Sequence, residues 1–317
     1  MKILYLGGNR ISILCLERLL KEDVEISLVV PRYSDDGSIT DPSIWNASLL
    51  AYAKSKGLDV FTPKKINSAQ TEAIFKSTGA DTLISIQYDK ILKDNILSTA
   101  KNCFNLHFAP LPRYRGCFPI PWAIIDGNDA GVTLHLMDTG IDTGRIISQV
   151  TVPVNEKDTA RTVYDKAVES GYELFASSLP SLINGSFKAA PQNDSEAIYH
   201  PAGNPYDRWI DWQADAAAID RFVRALTFPP YGSARTRIKD SEVEVMHPVT
   251  VIKDSTGDMP GKILEVNDNG LLVSAKSGAL LIKTFRVRTM ELTAEELAAA
   301  LVIKPGDTFD TKASWEK

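Results

Sequence analysis

The sequence predicts an α/β protein with a doubly wound sheet in its first part and a smaller β-barrel at its end. Short apolar runs alternate with segments of helical periodicity from residue 2 to residue 107, which is the pattern of a parallel sheet covered on both faces. From about residue 186, Ser, Pro, Asn and Gly become frequent, and short β-type runs separated by turns follow. We therefore expect two domains, residues 1–200 and residues 201–317.

Each element of the first part is defined by its apolar period and by the residue that ends it. Gly7-Gly8 ends the first strand, Gly57 ends a helix and Pro63 closes a short strand. The predicted strands are 2–7, 25–30, 59–63, 81–88 and 103–107. The predicted helices are 11–21, 43–57, 71–79 and 90–100.

The pattern after residue 107 is more varied. Strands at 131–137 and 145–152 flank a loop of acids and glycines, and residues 160–185 are either a helix pair or one broken helix. The last predicted helix is 216–226. The β-type runs that indicate a barrel are 233–238, 243–252, 261–266, 270–275 and 279–287.

The charge balance opposes a general binder of nucleic-acid backbones. The 317 residues are 44% hydrophobic, carry 35 basic and 40 acidic side chains, and have a net charge of −5 and a pI near 5.5. Such a binder needs a basic face, so we expect no nucleic-acid partner, although the balance leaves room for a local basic patch.

The cysteines and the apolar runs indicate a cytoplasmic protein. Cys15, Cys103 and Cys117 lack metal-ligand spacing and are odd in number, so we expect reduced thiols and no metal site. The apolar run at 1–9 is too short for a signal peptide, and no later run is long enough to cross a bilayer. We therefore expect no membrane partner.

Three places in the first part should meet at one edge of the sheet. Gly7-Gly8, residues 86–88 and His107 each stand at the carboxyl end of a predicted strand. Ligands of doubly wound sheets collect at these ends. The motif Gly-Gly-Asn-Arg is not GxGxxG, which disfavours a nicotinamide cofactor.

Asn105 and His107 lie two residues apart on a strand and therefore face the same side. An amide N–H and an imidazole N–H directed at one point are the donors that a developing oxyanion needs. Asp142, in a glycine-flanked loop, is placed to orient the imidazole or to accept a proton. Together they predict acyl transfer without a protein nucleophile, in which the substrate supplies the attacking group, most naturally an amine.

Simpler explanations exist for the other polar residues of the chain. A lone histidine is more often structural, and we expect that role for His135 and His247 inside their strand-like runs. Arg113 and Arg115 belong either to a solvated loop or to an anion site.

These motifs resemble the core of the formyltransferases that use 10-formyltetrahydrofolate. The matching segments are Asn-Leu-His at 105–107, Leu-Pro-Arg-Tyr-Arg-Gly at 111–116, Gly-Val-Thr-Leu-His-Leu-Met at 131–137 and Asp-Thr-Gly-Arg-Ile at 142–146. Residues 81–92 resemble the folate-pocket strand and loop of the family, 210–226 its interdomain segment, and 261–307 its C-terminal OB-like barrel. The resemblance covers nearly the whole chain.

The resemblance implies a role for each part of the site. Asn105 and protonated His107 would hold the oxyanion, while Asp142 would support His107 and help to remove the amine proton. The donor, 10-formyltetrahydrofolate, would lie against Ile86, Gln87, Tyr88, Ile91, Asp138 and Ile141. Arg113, Arg115 and Trp122 would contact the acceptor, although Trp122 is equally well explained by core packing at the start of a helix.

Two departures from the family pattern bear on the acceptor. The loop usually written Ser-Leu-Leu-Pro is Ala-Pro-Leu-Pro at 109–112. Members that formylate initiator tRNA carry a basic insertion after the second strand, whereas residues 32–43 here contain three aspartates. We therefore expect the acceptor to be a nucleotide-linked amino sugar. For the assembly, the sequence allows a homodimer and does not determine the oligomeric state.

Three further functions remain open at this point. The same chemistry with a polynucleotide acceptor would make the chain a methionyl-tRNA formyltransferase. The chain could also be a folate- or nucleotide-binding protein without catalysis, or a hydrolase that releases formate. The intact Asn105, His107 and Asp142 count against the protein without catalysis.

Overall fold

The computed structural model describes residues 1–252 and 258–310. The strands are β1 Lys2–Gly7, β2 Glu25–Pro31, β3 Thr82–Ile86, β4 Asn102–His107, β5 Arg115–Gly116, β6 Ala130–Leu136, β7 Ile146–Val152, β8 Tyr199–His200, β9 Ala234–Ile238, β10 Ser241–Val245, β11 Val249–Ile252, β12 Ile263–Asn267, β13 Gly270–Ser274, β14 Ala279–Ile282, β15 Thr284–Val287 and β16 Met290–Thr293. The helices are α1 Asn9–Leu19, α2 Leu49–Ser55, α3 Ala69–Thr78, α4 Asp94–Leu97, α5 Pro119–Asp126, α6 Ala160–Asn184, α7 Ala216–Ala225 and α8 Ala294–Leu301.

A six-stranded sheet in the order β2-β1-β3-β4-β6-β7 forms the centre of the first part. The strands β2, β1, β3 and β4 run parallel, and β6 and β7 continue the sheet in antiparallel pairing. The predicted doubly wound α/β class is therefore confirmed. The sheet is mixed, because β6 and β7 at one edge pair antiparallel. The alternation that predicts parallel strands stops at residue 107, and β6 and β7 lie beyond it.

The strand ends that position a site meet as predicted. Gly7 pairs with Ile86 across β1 and β3, and Ile86 pairs with Leu106 across β3 and β4. The Gly8 N–H donates to the Ile86 carbonyl at 3.1 Å. Because neighbouring strands lie about 4.8 Å apart, the carboxyl ends of β1, β3 and β4 form one edge.

Side-chain hydrogen bonds make two predicted helices shorter than their apolar pattern. Ser48 accepts from the Ala51 N–H and starts α2, six residues later than the pattern at 43–57 suggests. Asn67 donates to the Ile91 carbonyl at 2.9 Å and accepts from the Lys93 N–H at 2.8 Å, so α4 begins only at Asp94. The predicted strand 59–63 is reduced to one parallel bridge between Val29 and Val60.

Residues 160–184 form one continuous helix, α6, with Pro180 inside it. The segment after α6 returns to the sheet, where Ala190 bridges Ile146 and β8 pairs in parallel with β5. At Gly116 the backbone has φ +91°, and a Cβ there would lie 2.2 Å from the His200 carbonyl oxygen. Only glycine allows this contact.

Antiparallel strands make up most of the last part. Two four-stranded sheets have the orders β16-β15-β10-β9 and β11-β14-β13-β12, an arrangement consistent with the predicted small barrel. Trp212 is fully buried there, and its ring stacks on Phe309 at 5.3 Å. A capping box between Thr293 and Glu296 starts α8, a helix that is absent from the predicted elements.

The described chain divides into two compact units. Residues 1–119, 130–153 and 164–201 form the first unit, while 120–129, 154–163 and the segment from 202 onward form the second. The domain ranges 1–200 and 201–317 stay predictions. None of the helices in the described ranges has both the length and the apolar character needed to cross a membrane.

Candidate active site

The end of β4 and the loop after β6 bring the three predicted catalytic side chains together. Asp142 Oδ1 lies 3.5 Å from Asn105 Nδ2, and Asp142 Oδ2 lies 3.7 Å from His107 Nε2. The side chains of His107 and Asp142 are only 11% and 14% exposed. Charges and dipoles at this depth interact more strongly than at the surface.

One ring nitrogen of His107 is hydrogen-bonded to the protein backbone. His107 Nε2 lies 3.0 Å from the carbonyl oxygen of Tyr114, and a carbonyl oxygen can only accept a hydrogen bond. Nε2 therefore carries a proton. The other nitrogen, Nδ1, is the one left for a substrate atom.

Asp142 belongs to the aspartate loop, residues 138–144, and is held by the backbone on its other side. The Gly116 N–H donates to Asp142 Oδ2 at 2.9 Å. A Cβ at Gly144 would lie 1.7 Å from the Leu136 carbonyl oxygen, so the loop closes this tightly onto the end of β6 only with glycine.

Gln192 links the aspartate loop to the segment after α6, and the sequence analysis missed it. Its Nε2 donates to the carbonyl oxygens of Asp142 at 2.8 Å and Gly144 at 2.7 Å. Its Oε1 accepts from Arg115 Nε at 3.1 Å and Nη2 at 2.7 Å. Gln192 stands in a region without periodicity, so no pattern could have identified it.

The two arginines of the 111–116 loop differ in environment. Arg115 is 8% exposed, and besides Gln192 it binds Asp194 at 2.7 Å. Its guanidinium therefore holds the 192–194 segment, and its contact with substrate stays a prediction. Arg113 is exposed.

His135 also belongs to this cluster, although the sequence pattern suggests only a structural role. It is 2% exposed, and its Nε2 lies 3.1 Å from Asn105 Nδ2. Burial lowers the pKa of His135 below the usual 6.5, and the carboxylate of Asp142 opposes this effect. His135 lies on β6 and its neighbour Asn105 lies on β4. Only the pairing register of these two strands shows that they are neighbours.

The predicted folate residues of the first segment lie at and beyond the end of β3. Ile86 is fully buried, whereas Ile91 is 63% exposed. Gln87 has φ 56° and turns the chain out of the strand. Tyr88 is half-buried, and its hydroxyl is enclosed with no hydrogen-bond partner among the described residues. Burial raises the pKa of the Tyr88 hydroxyl, which therefore stays protonated.

The predicted folate residues of the second segment are on the aspartate loop. Asp138 is exposed and accepts from the Gly140 N–H at 3.0 Å and from Thr143 Oγ1 at 2.5 Å. Ile141 is partly exposed. The Asp138 carboxylate is thus fixed in orientation while it still faces solvent.

Trp122 lies on α5 in the second unit. It is partly buried, and its ring is 5.3 Å from the ring of Tyr206 in an edge-on arrangement. Both the packing role and the acceptor role remain open for it. Within residues 1–252 and 258–310, no group of three or more His, Cys, Asp or Glu side chains is arranged to hold a metal ion.

The acidic segment 32–43 is a folded loop. Asp35 accepts from Ser48 Oγ at 2.6 Å, from the Leu50 N–H at 3.0 Å and from the Gly37 N–H at 3.1 Å. Asp36 and Asp41 are exposed. All three aspartates accept backbone N–H hydrogen bonds within the loop, and Asp36 and Asp41 also present negative charge at the surface.

Comparison with known proteins identifies the family of the chain. The Formyl transferase family matches residues 1–179, and the family described as Formyl transferase, C-terminal domain, matches residues 204–300. A methionyl-tRNA formyltransferase from Agathobacter rectalis is 30% identical over 282 residues, which are 88% of this chain and 90% of that protein.

Two solved structures are similar over most of their length. One is WlaRD, a sugar 3N-formyl transferase in the presence of dTDP and 5-N-formyl-THF, with a TM-score of 0.69, 26% identity, and coverage of 89% of this chain and 97% of that one. The other is an N-formyltransferase from Helicobacter canadensis in complex with folinic acid and dTDP-3-aminofucose, with a TM-score of 0.69, 27% identity, and coverage of 89% and 98%. The chain therefore belongs to the formyl transferase family and is an N-formyltransferase.

Proposed function

We propose that this enzyme transfers a formyl group from 10-formyltetrahydrofolate to the primary amine of a nucleotide-linked amino sugar. The observation that carries the proposal is the similarity, over nearly the full length of both chains, to the Helicobacter canadensis enzyme in complex with folinic acid and dTDP-3-aminofucose. The geometry at the end of β4 is suited to the same reaction.

Asn105 and His107 would bind the formyl oxygen as negative charge develops on it. His107 Nδ1 is the nitrogen for this bond, since Nε2 donates to the Tyr114 carbonyl. For Nδ1 to donate, the ring must carry both of its protons, and Asp142 Oδ2 lies 3.7 Å from its Nε2. Asp142 is also the proposed acceptor of the amine proton. The folate supplies a formyl carbon whose bond to N10 breaks as the amine nitrogen bonds to it, and the proton lost by the amine balances the one gained by N10.

The residues assigned to the folate fit a reduced pterin with a formyl group. A buried Tyr88 hydroxyl without a partner among the described residues needs a polar group, and the exposed Ile91 offers an apolar surface. The oriented Asp138 carboxylate suits the N–H donors of an aminopyrimidine. We propose that Ile86, Gln87 and Ile141 complete this wall.

The charge of the chain supports a small acceptor over tRNA. Each phosphate contact in a polynucleotide complex is made largely by Lys or Arg, and the net charge here is −5. Asp36 and Asp41 are exposed on the loop after β2 and would repel a polynucleotide there. Arg113 and Trp122 stay proposed acceptor contacts, and the cytoplasmic location and the homodimer stay predictions.

The second candidate is a methionyl-tRNA formyltransferase. It is favoured by the similarity in sequence to the Agathobacter rectalis enzyme of that name. The chemistry at Asn105, His107 and Asp142 would be the same for either acceptor, so the catalytic geometry does not separate the two.

A direct competition would distinguish these acceptors. With formyl-tetrahydrofolate as donor, we expect turnover with one of a panel of dTDP-, UDP- and GDP-linked amino sugars, and little with methionyl-tRNA. Efficient formylation of the tRNA with no sugar turned over would refute the proposal and favour the second candidate.

Alanine variants of Asn105, His107 and Asp142 test the assigned site with either acceptor. Each should lower kcat about a hundred- to a thousandfold, the usual effect of losing one preorganised oxyanion donor, without a matching loss of thermal stability. Near-full activity of His107→Ala at saturating amine would show that the assigned site is wrong.

A further inference from the structure

His135 is a buried histidine directly opposite a proposed catalytic residue. The antiparallel register of β4 and β6 pairs Asn105 with His135, so the two side chains stand on the same face of the sheet. His135 is 2% exposed. The proposed formyl transfer gives it no part.

The hydrogen bonds of His135 fix its tautomer. Its Nδ1 lies 2.7 Å from the Leu136 carbonyl oxygen, which can only accept, so the proton is on Nδ1. Burial lowers the pKa of the ring, which favours the neutral form, and the lone pair is then on Nε2. The charged groups facing the ring are Asp142 and Asp138, which raise its pKa, and His107, which lowers it.

This tautomer decides which end of the Asn105 carboxamide faces His135. The Asn105 Nδ2 lies 3.1 Å from His135 Nε2 and donates one N–H to its lone pair. The second N–H of the same nitrogen faces Asp142 Oδ1 at 3.5 Å, longer than an ordinary N–H···O bond. That N–H is therefore only weakly bonded, and it is the one available to a substrate oxygen.

The opposite orientation of the carboxamide would be unfavourable. A flipped Asn105 would place its Oδ1 against the lone pair of His135 Nε2 and near the carboxylate of Asp142, so that acceptors would face acceptors. Without the His135 acceptor, much of this preference would be lost.

We propose that His135 is a positioning residue that holds the Asn105 carboxamide with its N–H, and not its Oδ1, available to the formyl oxygen. The inference rests on the proposed role of Asn105 and is independent of which amine is the acceptor. It gives a catalytic purpose to a histidine whose position inside a strand indicates a structural role.

The test is a double-mutant cycle, run with whichever amine the wild-type enzyme formylates. His135→Leu removes the acceptor at similar volume and should lower kcat about ten- to a hundredfold, less than the loss of a whole oxyanion donor, with KM for both substrates nearly unchanged. His135→Gln, whose Oε1 can accept the same N–H, should recover most of the rate. In an Asn105→Ala background, His135→Leu should cost nothing further.

A control is available in the second unit. His247 has a pKa that burial also lowers, and it lies between β10 and β11, so His247→Leu should leave kcat unchanged. If His135→Leu does not fold, as judged by circular dichroism, His135→Met removes the acceptor with a different apolar side chain.

The outcomes separate this inference from the function on which it rests. An unchanged kcat in His135→Leu, or an equal loss in the wild-type and Asn105→Ala backgrounds, would overturn the positioning role while leaving the site in place. An Asn105→Ala enzyme of full activity would refute the proposed site and this inference with it.

Discussion

Replacing Asp142 with asparagine removes one charge from the proposed site and keeps its shape. The new carboxamide oxygen can still accept from the Gly116 N–H, which donates to Asp142 Oδ2 at 2.9 Å, so the aspartate loop should stay closed. The variant loses the proposed ability to accept the amine proton. It also loses the attraction between the carboxylate and a protonated His107, whose Nε2 is 3.7 Å away.

The size of this interaction follows from the distance. Two unit charges 3.7 Å apart attract each other by about 4 kcal/mol at an effective dielectric constant of about 20, the value that suits partly buried protein sites. Since about 1.4 kcal/mol corresponds to a tenfold change in rate, the upper limit of the electrostatic part is about a thousandfold. Both side chains are slightly exposed, so we expect a loss of about a hundred- to a thousandfold.

The assay is kcat at saturating formyl donor and amine, with the formylated product quantified by chromatography and stability followed by thermal denaturation. Glu173→Gln is the control, because it removes one negative charge from an exposed position of α6. A loss of less than tenfold in Asp142→Asn, with the control unchanged, would refute the electrostatic role of Asp142.

Three further outcomes are expected. Gln192→Leu loses both hydrogen bonds to the aspartate loop, each worth about 1 kcal/mol, and should lower both kcat and the melting temperature. Unchanged values of both would show that the loop keeps its conformation without Gln192. Gly144→Ala places a Cβ 1.7 Å from the Leu136 carbonyl oxygen and should lower the free energy of unfolding by about 3 kcal/mol in urea titrations, and a loss near zero would contradict the close packing. Burial lowers the pKa of His135 and His247 in the folded protein. Near and below pH 6.5, these two side chains therefore bind more protons in the unfolded chain than in the folded one. The free energy of unfolding should therefore fall as the pH is lowered from 7.5 to 5.5. That slope should be shallower in His247→Gln, and equal slopes would show that this histidine does not contribute.

The strand ends and the three catalytic candidates could be predicted because both depend on local pattern. Asn105 and His107 are two residues apart on a strand, and this spacing alone puts them on one face. The glycine-flanked loop after a later strand makes Asp142 a candidate, but its position beside Asn105, 37 residues away in the chain, depends on the fold as a whole.

The direction and register of strands cannot be predicted from the same pattern. Apolar alternation looks alike in parallel and antiparallel strands, so it does not reveal that β6 and β7 reverse direction. Without the register, His135 has no identifiable neighbour. Hydrogen bonds from distant side chains are equally hidden, as with Asn67, which holds residues 91–93 out of the predicted helix.

The hydrogen bonds of Gln192 have a consequence for synthesis of the chain. Gln192 follows Asp142 by 50 residues, so a growing polypeptide contains all three proposed catalytic side chains well before the residue that secures their loop. The match to the Formyl transferase family ends at residue 179, before Gln192. A fragment that ends there would contain Asn105, His107 and Asp142 but not the hydrogen bonds from Gln192 to the aspartate loop. Activity should therefore appear only when the nascent chain has passed α6 and folded back.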